Sequence, residues 1–347
     1  MKKRVLMTAG LISLMMVLGG CNFQKKTENI SLAFQSITDL QYEEALNLFA
    51  KAEEAGEELK TIARGKGIAY LGLAKYQEAV EQFIHTLSYS NEFVDDFDFD
   101  TSYYLATAYF KNGQMKEAEN VYSSILALRE EREAHFLRGL TFLEQGEIEK
   151  AKADFDLALQ KNKTDYDMRI NICQAFAEKG LEEDGKAYLQ EALGSTEKKI
   201  SDYDKGRLSY YLGDYENARN YLEASKNEKD AQTVLLLGQT YEKLGDYNYA
   251  ASVYSNFLTK NSDNVIILNR LGMCKLQSGD AAGARDYFEK ALALEDSSMT
   301  QVLKFNQIVA YEYLGEFDQA NILIKDYLSI YPDDQEALRE FEFLQSR

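Results

Sequence analysis

The feature that most constrains the fold of this chain is a period of about 34 residues that runs through most of its length. Each copy has two stretches whose apolar residues recur at helical spacing, separated by a glycine or another turn-forming residue. A single helical hairpin of this size cannot bury its own apolar face, whereas stacked neighbours can. The period therefore predicts an all-α array of hairpins. The predicted turns fall at residues 40, 74, 113, 146, 180, 213, 245, 279 and 315, which gives nine units.

Small residues and aromatic rings recur at fixed positions within each unit. The small residues let two helices approach closely, and the rings fill the space beside them. One proline in 347 residues favours long, uninterrupted helices. One unit shows the whole pattern: Leu237-Gly238, Tyr241, Leu244-Gly245-Asp246-Tyr247, Ala250 and Tyr254.

This pattern resembles the tetratricopeptide repeat (TPR) family over residues 27–334. The resemblance implies a right-handed α-solenoid of about nine TPR hairpins, and residues 335–347 are predicted to form a C-terminal capping helix. The family's tryptophan is missing from every unit, and its closing proline occurs only once. Four further positions depart from the family pattern, namely Leu40 and Ala74 at turns, Gly185 at a second-helix alanine and Ser209 at an aromatic position.

The first 21 residues resemble a bacterial lipoprotein signal. A basic start is followed by an apolar stretch from Val5 to Leu18, which ends in Leu18-Gly19-Gly20-Cys21. The resemblance implies that residues 1–20 are a signal peptide and that Cys21 carries acyl chains such as palmitate. Residues 21–26 would then be a lipidated tether on the extracytoplasmic face of the cell membrane. The alternative is an ordinary secretory signal in which Cys21 is accidental, but such a signal typically ends in an A-x-A-like site.

The chain is strongly acidic, with a net charge of −18. Nucleic acid is excluded as a partner because phosphate binding needs a basic surface. An anionic leaflet would also repel the folded array, so membrane contact is expected only through the lipid on Cys21. The acidity predicts that a protein or peptide partner carries basic segments.

No motif in the sequence indicates catalysis. The two histidines, His85 and His135, fall in different units and are read as surface or packing residues. Zinc-binding, phosphate-loop and hydrolase-elbow patterns are absent, so we expect no metal, no cofactor and no enzyme activity. Cys173 and Cys274 lie three repeats apart, beyond the reach of a disulfide, and are predicted to be small buried hydrophobes.

One insertion interrupts the period between the second and third units. Residues 90–100 contain four aspartates and three phenylalanines. A calcium loop is one reading, but the glycine and terminal glutamate of an EF-hand are missing. A protein contact is the second reading. The third and favoured reading is a solvated loop in which Phe97 and Phe99 pack on the array while the aspartates face water.

The TPR resemblance implies that the first helix of each unit lines a concave groove. Tyrosine-rich grooves suit peptide or helix binding because each ring offers contact area and a hydroxyl group. The alternative is that several of these rings only pack between units. A chaperone-type carboxylate clamp is not supported, since Arg64, Asn269 and Arg270 lie in distant units and the paired asparagines are missing. The predicted groove residues are Tyr103, Phe110, Phe136, Gln174, Tyr203, Arg207, Tyr210, Tyr211, Phe305 and Tyr313.

The sequence thus predicts a membrane-anchored extracytoplasmic TPR scaffold. It would bind protein or peptide partners in its groove and serve cell-envelope assembly or export. The alternative function is hydrolysis of an envelope polymer by a carboxylate pair in the groove.

Overall fold

A computed structural model describes residues 28–90, 94–195, 199–225, 230–295 and 298–347. In these ranges the chain forms nineteen α-helices and no β-strand, and no helix is long and apolar enough to cross a bilayer. The predicted signal peptide, Cys21 and the tether lie outside the described residues. The chain divides after Lys161 into two compact units, which are described separately.

The first unit contains four helical hairpins. In each hairpin a first helix packs against the second helix that follows it. The helices are α1 (Glu28–Thr38), α2 (Tyr42–Glu54), α3 (Leu59–Gly72), α4 (Tyr76–Ser88), α5 (Asp96–Lys111), α6 (Met115–Leu128), α7 (Arg132–Glu144) and α8 (Ile148–Gln160).

The second unit contains five hairpins and one closing helix, α19, which packs against α18. Together the described helices confirm an all-α repeat solenoid with nine hairpins and a closing helix. The helices are α9 (Tyr166–Glu178), α10 (Glu182–Gly194), α11 (Asp202–Leu212), α12 (Tyr215–Ser225), α13 (Ala231–Lys243), α14 (Tyr247–Leu258), α15 (Val265–Gln277), α16 (Ala281–Leu292), α17 (Thr300–Tyr313), α18 (Phe317–Ile330) and α19 (Gln335–Gln345).

All nine predicted turn positions have left-handed backbone. The seven glycines have φ between +73° and +84°, while Leu40 and Ala74 have φ of +59° and +56°. Left-handed backbone brings the amides after a first helix onto its last carbonyls, as when Asp246 N–H donates to Tyr241 at 2.9 Å. Glycine adopts this conformation without a Cβ clash, so the two exceptions are strained positions.

Close helix contact explains the recurrent glycine of the first helix. A Cβ built at Gly238 would lie 2.2 Å from Cζ of Tyr254, sixteen residues later on the second helix. In the fifth hairpin the glycine is on the second helix instead: a Cβ built at Gly185 would lie 2.7 Å from the backbone oxygen of Cys173 on the first helix. In that hairpin the second helix therefore supplies the small residue. Cys173 and Cys274 are both free and buried, which confirms their predicted packing role.

The insertion differs from the predicted solvated loop. Helix α5 begins at Asp96, and the Asp95 side chain caps it by accepting from Asp98 N–H at 2.8 Å. Phe99 is buried and Phe97 half-buried, as predicted. Asp98, however, does not face water, because it pairs with the Lys60 ammonium at 2.6 Å. Residues 91–93 lie outside the described residues.

The environment of Asp98 accounts for this departure. Burial alone would raise the pKa of the Asp98 carboxyl, but hydrogen bonds from Lys60 and Ser90 outweigh the loss of hydration and lower it. The insertion is therefore a structural extension of α5 that is fixed to α3.

Candidate functional site

Several first helices of a unit contact one another, and the surface that the first helices present is here called the first-helix face. In the first unit α3 contacts both α1 and α5, and in the second unit α11 contacts α9 and α13, and α15 contacts α17. These first helices thus touch the first helix of a neighbouring hairpin as well as their own second helix. Side chains from successive repeats come within reach of one bound segment on this face.

Charge is divided unequally between the two sets of helices. The nine first helices carry 13 lysines and arginines against 12 acidic residues, whereas the nine second helices carry 9 against 21. Of the two sets, the second helices are therefore the acidic one and the first helices are close to neutral, while the remaining acidic residues lie in turns, linkers and the closing helix.

In the first unit, the predicted groove residues serve mainly as packing. The Tyr103 ring lies 5.6 Å from Phe99 and 6.4 Å from Tyr122, and burial raises the pKa of its hydroxyl. Phe110 packs on the same apolar cluster. The Phe136 ring lies 5.9 Å from Phe155, on the second helix of the same hairpin. The alternative reading of these three rings as structural is thus well supported.

A cation between two rings lies on the first-helix face of the same unit. The Arg64 guanidinium is 4.3 Å from the Phe97 ring centre and 5.5 Å from that of Tyr104. Its nearest carboxylate is Asp100 at 3.9 Å. Phe97 comes from the insertion, so the sequence period gave no indication of this stack.

In the second unit, Arg207 bridges two first helices. Its guanidinium pairs with Asp167 of α9 and contacts Asp204 at 3.6 Å. It also lies 5.5 Å from the ring centre of Tyr203, which is half-buried. Gln174, on α9, is exposed. Arg207 is therefore held in place by α9, while Gln174 is available to a partner.

Tyr210 and Tyr211 were predicted either to bind or to pack. The Tyr210 ring lies edge-on to Tyr211 at 5.4 Å and to Tyr215 at 5.5 Å, and burial raises its pKa to about 12. Tyr211 packs on the apolar cluster around Leu208. The neighbouring Ser209 is buried without a ring of its own. Both tyrosines thus have packing roles.

The two predicted groove residues of the last hairpin differ, since one ring is packed and the other is exposed. Phe305 lies 5.9 Å from Tyr327 and belongs to the terminal apolar cluster. Tyr313 is 68% exposed. Among the predicted groove residues of this unit, Tyr313 and Gln174 therefore have the freest surface.

Two polar contacts on this face were not predicted. Asn306 donates from Nδ2 to Asn269 Oδ1 at 2.8 Å, which joins α17 to α15. Glu242 accepts from the Tyr254 hydroxyl at 2.7 Å and contacts Arg270 at 3.4 Å.

The histidines occupy packing and surface positions. His135 is buried, with Nδ1 2.8 Å from Asp154 and Nε2 2.9 Å from Glu130. His85 is exposed beside Tyr89. Across the ranges that the structure describes, no group of three or more His, Cys, Asp or Glu side chains could hold a metal ion.

These features define an all-α repeat protein with an extended surface for protein contacts. The tetratricopeptide repeat model matches residues 103–167 and 235–298. The match confirms TPR repeats in both segments, and TPR arrays are in general protein-interaction scaffolds.

Known proteins of several kinds are similar to parts of the chain. It is 27% identical over 218 residues to BBSome complex member bbs-4 of Caenorhabditis elegans, covering 58% of this chain and 46% of that protein. It is 36% identical over 93 residues to tetratricopeptide repeat protein 14 of Mus musculus, covering 24% and 12%. The chain therefore spans less than half the length of either relative. A crystal structure of a tetratricopeptide repeat protein from Parabacteroides merdae matches at 17% identity and a TM-score of 0.44, covering 72% of this chain and 98% of that one.

Proposed function

We propose that this chain is a lipid-anchored scaffold on the outer side of the cell membrane that binds a protein or peptide segment on its first-helix face, in cell-envelope assembly or export. The observation that carries the binding proposal is the exposure of Tyr313 and Gln174 on a face built from successive first helices. The lipobox-like Leu18-Gly19-Gly20-Cys21 supports the anchor.

The unequal charge of the first and second helices indicates what chemistry the proposed partner should have. A segment on the nearly neutral first-helix face needs apolar and uncharged polar groups, such as those of an amphipathic helix or an extended peptide. Basic segments would contact the acidic second helices instead. The proposed partner therefore has an uncharged docking segment with basic flanks, and salt should weaken only the contribution of the flanks.

A matched pair of exposed tyrosines tests the binding face. A photocrosslinker at Gln174 should capture a defined partner in intact cells, identified by mass spectrometry. Tyr313→Ala should reduce that product, whereas Tyr249→Ala should not, because Tyr249 is 61% exposed but lies on second helix α14. Equal yields from both variants, at unchanged melting temperature, would contradict the proposed face.

A separate experiment tests the anchor. Cys21→Ala should release the protein from membranes washed with carbonate, because no acyl chain can then be attached. A variant that stays in the membrane fraction would contradict lipid anchoring and leave the binding proposal untouched.

One carboxylate pair bears on the alternative of polymer hydrolysis. Glu312 on α17 hydrogen-bonds Glu340 on α19, and burial together with that neighbour raises the pKa of Glu312 to about 8. Glycosidases hold their two carboxyl groups about 5 Å or more apart so that the scissile bond fits between them. Because Glu312 and Glu340 contact each other, this pair does not favour hydrolysis, and binding remains the proposed function.

A further inference from the structure

The second unit contains a cavity of about 420 Å³ between the eighth and ninth hairpins of the chain. Leu292, at the end of α16, and Leu323 and Tyr327, on α18, supply its apolar surface. Lys304 and Gln307 of α17 supply polar groups. A cavity of this size, mostly apolar with a few convergent polar groups, has the character of a small-molecule site.

Lys304 forms no direct ion pair with a described carboxylate, although Glu295 and Asp326 also line the cavity. The residue is half-buried, yet no carboxylate in the described part of the chain lies within 4.0 Å of its ammonium. Lys275, by comparison, pairs with Asp280 at 3.1 Å. In a chain with net charge −18, a half-buried lysine without a partner is unusual. No direct ion pair offsets the hydration that Lys304 loses, and an anionic group in the cavity would offset it.

We propose that this cavity binds a small molecule with an apolar body and a single carboxylate. The apolar part would contact Leu292, Leu323 and Tyr327, and the carboxylate would pair with Lys304. Glu295 and Asp326 also line the cavity and are exposed. Their charges oppose a second negative charge on the ligand, so a monocarboxylate is preferred over a dicarboxylate or a phosphate.

This site does not depend on the proposed scaffold function. The cavity takes its apolar lining from second helices α16 and α18 and its Lys304 and Gln307 from first helix α17, whereas partner binding is assigned to the exposed residues Tyr313 and Gln174. A ligand could therefore bind here whether or not Tyr313 contacts a partner.

Calorimetric titration with octanoate tests the proposal. Octanoate should bind the full chain more tightly than octanol, which lacks the charge, and more tightly than suberate, which has two. Lys304→Gln should weaken octanoate binding about tenfold, since a charge-assisted hydrogen bond is lost. Lys325→Gln makes the same charge change at an exposed position of α18 that does not line the cavity, and should leave binding unchanged.

A second variant separates cavity binding from surface adsorption. Leu323→Phe fills part of the cavity and should also weaken octanoate binding, with the melting temperature measured for every variant. The proposal is overturned if octanoate does not bind, if octanol or suberate binds equally well, or if Lys304→Gln and Leu323→Phe both bind like the unmodified chain.

Discussion

Gly238→Val tests the close helix contact on which each hairpin depends. The new Cβ would lie 2.2 Å from Cζ and 2.3 Å from Cε1 of Tyr254. Tyr254 cannot move aside cheaply, because its ring is 0% exposed and its hydroxyl donates to Glu242 at 2.7 Å. The substitution therefore forces α13 and α14 apart.

The expected magnitude follows from two opposing effects. Overpacking a close-packed site costs about 1–3 kcal/mol, while replacing a helical glycine with valine recovers about 0.5 kcal/mol. The third hairpin holds Ala106 opposite Tyr122, both buried, so one methyl group can be accommodated where the helices are spaced for it. Valine adds two further carbons, and we expect a net loss of about 1–2.5 kcal/mol.

Urea unfolding followed by circular dichroism measures the loss. Gly194→Val is the matched control, because Gly194 ends helix α10 and no atom lies within 4 Å of a Cβ built there. Gly238→Val should lower the unfolding midpoint and Gly194→Val should hardly change it. Equal midpoints for the two variants would refute the argument that helix contact determines the glycine.

Three further predictions concern turns, caps and pH. Ala74→Gly should stabilise the chain by about 0.5–1 kcal/mol in urea unfolding by relieving left-handed strain, whereas Gly113→Ala should destabilise it. Glu57→Ala should speed hydrogen exchange in α1 and lower the free energy of unfolding by about 0.5–2 kcal/mol, because the Glu57 carboxylate accepts from Ile30 N–H at 3.1 Å. Unchanged exchange in α1 would contradict this prediction. The pKa of Glu312 is raised to about 8, so the native state holds a proton that the unfolded chain releases above about 4.5. The stability of the fold should therefore fall as the pH rises from about 4.5 to 8. Glu312→Gln should remove this part of the pH dependence of the melting temperature.

Much of the fold could be predicted from the 34-residue period, because the residues that form the turns and the close helix contacts are determined by local structure. A left-handed turn favours glycine whatever surrounds it, and a small residue is needed wherever two helices nearly touch. Leu40 and Ala74 fit the register even though they replace glycine, since the flanking helices determine where the chain turns. The period thus located every described turn between first and second helices.

The insertion could not be placed from sequence alone because its structure depends on a distant residue. Alternating acids and rings predicted aspartates in water, and Asp95, Asp96 and Asp100 are indeed exposed. Asp98 is buried because Lys60, on another helix, supplies the compensating charge. No local pattern distinguishes the paired aspartate from its neighbours.

The candidate site was harder to predict than the fold, because the same residue type serves two roles. Tyr103 and Tyr313 both lie on first helices, yet Tyr103 packs edge-on against two rings while Tyr313 is 68% exposed. The difference arises from the neighbouring side chains, because Phe99 precedes Tyr103 by one helical turn and Tyr122 faces it from the second helix of the same hairpin. Whether a tyrosine packs or stays exposed therefore depends on which residues the rest of the fold places beside it.

Net charge was an incomplete guide to the partner for a related reason. A solenoid presents two sets of helices to solvent, and charge on one set is separated from the other by a packed apolar layer. The sum of −18 describes neither set, because the second helices carry 21 acidic residues against 9 basic ones and the first helices are nearly balanced. At physiological salt, charges on the far side of the array lie about one Debye length or more from a segment bound on the first-helix face. Their effect on that segment is therefore small, and recognition there must depend on shape, apolar contact and hydrogen bonds.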